Sequence, residues 1–88
     1  MKIQKSDYIK ISKSLLIKLF KEGCWGKGSL YEDNLKDGFP KDEVDKVIVI
    51  ADALVRQGIL GKKRKQYGFK YFLNADRRDK IIEIIKQW

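Results

Sequence analysis

At Gly58 the apolar period of this chain changes from that of a helix to that of a strand. Upstream, Val44, Val47, Ile48, Ala51, Leu54 and Val55 recur every three or four residues, which marks one face of a helix over 41–57. Downstream, Ile59-Leu60 opens a strand that continues through Gly61-Lys62-Lys63-Arg64-Lys65. Gln66-Tyr67-Gly68 supplies the turn, and the alternating Phe69, Tyr71 and Leu73 mark the returning strand. A glycine suits the switch, because a helix ends readily on a left-handed residue without a Cβ. No linker separates helix from hairpin, so the two share one core.

The remaining elements follow by the same reasoning. Tyr8, Ile11, Leu15, Leu16, Leu19 and Phe20 form an apolar stripe of a first helix over 7–22, capped by Ser6 or Asp7 and ended by Gly23. Gly26-Lys27-Gly28-Ser29 lacks the Gly-Lys-Ser/Thr ending and the preceding strand of a phosphate loop, so it reads as a turn. Trp25 reads as core or core edge. Ser29 is expected to cap a short helix over 30–37, and Gly38-Phe39-Pro40 a tight turn into the long helix. Asn74 or Asp76 is expected to cap a last helix over 75–88. With 88 residues the chain holds one thin core, a single domain over 1–88 with its centre at 7–73.

The order is helix, short helix, tight turn, long helix, hairpin, helix. Together with Ala53-Leu54-Val55-Arg56-Gln57-Gly58-Ile59-Leu60, it resembles the winged helix-turn-helix superfamily. The likeness runs from Ser29 to Leu73 and, with the first helix, covers about three quarters of the chain. It implies an α+β, mainly α fold of three helices, a β-hairpin wing and a C-terminal helix. It also implies DNA binding, with the third helix in the major groove and the wing over the backbone or minor groove. Other members of the superfamily serve as protein-docking or dimerisation modules.

Charge sharpens the expectation. The chain carries +8 at neutral pH, unevenly spread. Residues 1–28 are net +5, 29–58 net −3, 59–73 net +5 with no acid at all, and 74–88 net +1. A basic, acid-free hairpin is the footprint of a polyanion contact. Lys62, Lys63, Arg64, Lys65, Gln66 and Tyr67 are therefore the expected nucleic-acid contacts, placed at an exposed hairpin tip, with Arg64 suited to a minor groove. The outer face of the long helix collects Asp42, Lys46, Val49, Ala53 and Arg56, so Lys46 and Arg56 join the expected contacts. The acids on that helix point the other way, toward docking of a basic protein. Lysine on a hairpin edge also blocks sheet-to-sheet pairing, the plainer explanation of the same charge.

Other chemistries lack their residues. The chain has no histidine and one cysteine, Cys24, so no zinc ligand set, no internal disulfide and no imidazole base is available. Neither an enzyme nor a cofactor or metal is expected. The longest apolar run, 47–51, is too short to span a membrane, and the N-terminus lacks a signal-peptide core. The expected location is cytoplasmic, with nucleoid association left open. Double-stranded DNA is the expected partner. RNA is an open alternative through exposed Tyr67 or Phe72, whereas Phe69, Tyr71 and Leu73 read as core. Ile81, Ile84, Ile85 and Trp88 form an apolar face of the last helix, expected either to pack on the first helix or to make a homodimer interface.

Overall fold

The structure, a computed structural model, describes residues 2–86. The elements are α1 (Lys5–Lys21), β1 (Leu30–Tyr31), α2 (Glu32–Lys36), α3 (Val44–Arg56), β2 (Leu60–Lys65), β3 (Gly68–Leu73), a 3₁₀ turn (Ala75–Arg77) and α4 (Arg78–Lys86). The fold is mixed α+β and mainly helical, with a three-stranded antiparallel sheet in the order β1-β3-β2.

Two helices end in the same way. After α3, Gly58 takes φ +78°, its N–H donates to Val55 O, and the Ile59 N–H donates to Leu54 O. After α1, Gly23 (φ +67°) donates to Phe20 O and Cys24 to Leu19 O. This paired closure satisfies the orphan carbonyls of a last turn and requires a left-handed residue, which glycine supplies without steric cost. Asn74 then locks the second closure to the sheet. Its side-chain amide donates to Gly58 O at 2.7 Å, its N–H donates to Ile59 O at 3.0 Å, and its Oδ1 accepts from Asp76 N–H. It thus caps the 3₁₀ turn that leads into α4.

Three expected boundaries are corrected. Leu30–Tyr31 is a strand, not the start of a helix: Leu30 pairs with Tyr71 and Tyr31 with Lys70. A distant partner strand claims the two residues, so α2 begins at Glu32 with Tyr31 at its N-cap, and Ser29 caps nothing. The long helix begins at Val44, because the Glu43 N–H closes a tight turn onto Pro40 O instead of a helical bond. The first helix begins at Lys5, leaving Ser6 and Asp7 inside its first turn.

One apolar cluster joins the elements. Ile11, Leu15, Leu16 and Leu19 of α1 meet Leu35 of α2, Val47, Ile50, Ala51 and Leu54 of α3, Leu60, Tyr71 and Leu73 of the sheet, and Ile81 of α4. Phe20 and Phe69 lie outside it and are exposed, contrary to their expected places in the stripe and the core. Trp25 sits at the core edge, edge-on to Phe20 at 5.8 Å between ring centres.

Candidate nucleic-acid interface

Strand register decides where each hairpin side chain points. Opposed residues of an antiparallel ladder share a face, and alternate residues change face. Leu60 opposes Leu73, Lys62 opposes Tyr71 and Arg64 opposes Phe69, so these line the face turned toward α3. Gly61 opposes Phe72, Lys63 opposes Lys70 and Lys65 opposes Gly68, so these line the outer face.

The inner face is tied to α3 by a polar cluster. The Tyr71 hydroxyl, on a fully buried side chain, donates to Asp52 Oδ1 at 2.7 Å and lies 3.4 Å from Glu32 Oε1. The Lys62 ammonium lies 3.0 Å from the same Asp52 oxygen and 4.4 Å from the centre of the Phe69 ring. Burial, and then the carboxylates of Asp52 and Glu32 around it, push the Tyr71 phenol well above its ordinary range, so it remains a donor. The two carboxylates accept a proton donor and a cation that the strands supply, which offsets the cost of bringing them together.

The expected tip of four cations is therefore corrected. Lys62 is held by Asp52, and Lys63 donates to Gly26 O at 3.0 Å with its ammonium 5.4 Å from the Phe72 ring centre. Both are half-buried in mid-strand, because the hairpin bends its long side chains back over neighbouring rings and loop. Arg64, Lys65, Gln66 and Tyr67 form the exposed tip, and Tyr67 keeps 80% of its surface in solvent. Among the described residues these four make no side-chain hydrogen bond or ion pair.

On α3 the two expected cations differ. Lys46 is a pin between helices, its ammonium 3.0 Å from Asp7 Oδ2 of α1. Arg56 is exposed on the last turn, and Val49, 41% exposed, lies on the same outward side. The acidity of the segment is reduced by cations from outside it: Lys10 of α1 reaches Glu43 at 3.4 Å and Lys62 reaches Asp52. Asp42 and Asp45 remain exposed. Lys18 of α1 closes the end of α2, donating to Asn34 O and Asp37 O.

The expected apolar face of the last helix divides. Ile81 is fully buried in the chain's own core, so it is removed from any dimer surface; packing on α1 claims it. Ile84 and Ile85 are half-buried at the core edge, and Trp88 lies outside the described residues. Ile84 also borders a groove of about 200 Å³ with Tyr8, Ile9, Ser12, Leu54, Gln57 and Ile59. The Gln57 amide donates to the Tyr8 hydroxyl at its rim, and Ser12 Oγ is buried there without a partner among the described residues.

The sequence matches no protein-family model, no curated protein and no solved structure. Among the described residues no group of histidine, cysteine or carboxylate side chains is arranged to hold a metal ion, and no helix is long and apolar enough to cross a membrane. Cys24 is buried, and burial followed by the nearby Glu22 charge raises its thiol pKa, so it is a packing residue rather than a reactive thiolate. Sequence reasoning missed three contributions. Tyr71 is core as its alternation predicts, but its bond to Asp52 of α3, the role of Asp52, and the strand pairing of Tyr31 carry no local signal.

Proposed function

We propose that the chain is a winged helix-turn-helix protein that binds double-stranded DNA, acting as a small transcription regulator or chromatin-associated factor. The element order from α1 to β3 supports the fold reading, as does the short β1 lying beside β3 at the edge of the hairpin. The observation that carries the functional reading is the tip. Arg64, Lys65, Gln66 and Tyr67 stand in solvent without partners among the described residues, on a hairpin locked to α3 through Lys62, Asp52 and Tyr71. A cation without an internal partner is available to a phosphate, and a rigid mount lowers the ordering cost of binding.

In this reading Arg64 and Lys65 contact the backbone or minor groove, while Val49, Ala53 and Arg56 face the major groove. Val49 and Ala53 suit a thymine methyl. Charge reversal of Arg64 and Lys65 together tests it. The double variant keeps the parent's fold by circular dichroism and loses duplex binding at low salt. Undiminished binding by the folded variant would refute the wing contact.

A second reading has its own observation. Asp42 and Asp45 are exposed beside the apolar Val49, a surface suited to a basic protein. Under it, Asp42→Asn with Asp45→Asn would abolish a protein interaction and leave DNA binding unchanged.

A further inference from the structure

The outer face of the sheet carries its own pattern. Tyr31, Lys70 and Lys63 are opposed in one row across all three strands. One step along, toward the strand ends, Phe72 lies across Gly61: a Cβ built on Gly61 would fall 2.2 Å from Phe72 Cζ. One step the other way, toward the turn, stands the exposed Lys65 opposite Gly68. Each ring has an ammonium beside it, Lys70 at 4.7 Å from the Tyr31 centre and Lys63 at 5.4 Å from the Phe72 centre. None of these residues is fully buried, and the strand residues of this face include no carboxylate.

We propose that this face binds single-stranded nucleic acid, at a site separate from the Arg64–Tyr67 tip. The occupant follows from two features acting together. Lys63 and Lys70, with no strand carboxylate between them, complement a polyphosphate backbone. Two flat rings offer a surface on which unstacked bases lie, and base–aromatic stacking is tolerant of sequence. Tyr31 and Phe72 sit on adjacent strands two positions out of register, a diagonal separation of about 7–8 Å, which suits neighbouring bases of an extended strand. A duplex cannot use the rings, because its bases are already stacked on one another. On binding, Lys70 exchanges a weak ring contact, and Lys63 a ring contact and its hydrogen bond to Gly26 O, for phosphate oxygens, so each cation gains a full charge partner. Gly61 is the residue that allows this, since any side chain there would push the Phe72 ring off the strand.

The test uses the whole chain and a fluorescein-labelled oligothymidylate of about 12 nucleotides, within the span that one small domain covers, followed by anisotropy at low salt. Parent protein binds it, and Tyr31→Leu and Phe72→Leu each weaken binding about tenfold while leaving affinity for duplex DNA within about twofold. Leucine keeps the apolar packing and removes the ring. Backbone amide shifts on titration give a second readout that needs no variant. Shifts at Tyr31, Lys63, Lys70 and Phe72 support the site. An oligothymidylate that does not bind, folded leucine variants that bind like the parent, or shifts confined to 64–67 would each overturn it. Loss of duplex binding in the tip variants, with single-strand binding intact, supports two separate sites.

Discussion

Lys62 and Tyr71, opposed across β2 and β3, converge on one oxygen of Asp52: the ammonium lies 3.0 Å from Oδ1 and the phenol 2.7 Å. A single carboxylate of α3 thereby fixes the angle between that helix and the hairpin. The two bonds are unequal in consequence. Removing the carboxylate leaves the hydroxyl of a buried ring only its longer contact with Glu32, whereas removing the ammonium deletes a partly exposed ion pair.

Asp52→Ala is therefore expected to cost about 2 kcal/mol, the scale of a buried donor losing its shorter acceptor. Lys62→Met keeps an apolar stem over Phe69 and should cost at most about 1 kcal/mol, as surface ion pairs do. Urea denaturation of the two variants checks the order. Equal costs would show that the ion pair, not the phenol, holds the joint.

The raised Tyr71 pKa sets a pH dependence. The folded state holds the phenol protonated above the ordinary tyrosine value of about 10, so its contribution is complete below that value. The unfolded chain ionises first as pH rises, and stability falls above about pH 10. Tyr71→Phe should be less stable at neutral pH and should lose less of its melting temperature between neutral and alkaline pH than the parent. Parallel melting curves for the two proteins across that range would show the group does not contribute.

Gly61 and Phe72 should behave as one unit. Gly61→Ala places a methyl inside the Phe72 ring, and overpacking of this kind costs about 1–3 kcal/mol. In a Phe72→Leu background the same change should cost much less, because the shorter side chain yields the space. A double-mutant cycle measures the coupling. Additive effects would mean that the ring swings aside freely.

The parts of this fold legible in the sequence are those set by neighbours along the chain. Gly23 and Gly58 end their helices through bonds between residues close in sequence, and the alternation from Phe69 to Leu73 marks a strand. The strand role of Tyr31 is illegible because its partner, Lys70, lies far along the chain, and a two-residue strand has no period of its own. The same cause hides the division of the basic run. Lys62, Lys63, Arg64 and Lys65 are equivalent as a run of charge, yet register sends the first to Asp52, the second to Gly26 and the last two to solvent. Ile81 likewise reads as one of a set until α4 is placed on α1, when it becomes the helix's fully buried residue.

An exposed cationic tip without partners among the described residues is proposed to bind duplex DNA through its phosphates. The most direct test is anisotropy of a labelled random-sequence duplex across a salt series, for the parent and for a variant with Arg64 and Lys65 both changed to alanine. Parent affinity should fall steeply with salt. The double variant should bind more weakly, with a log–log slope shallower by about 2, because each of the two cations neutralises one phosphate. A parent that does not bind at low salt, or a variant with the parent's affinity and slope, would contradict the proposal.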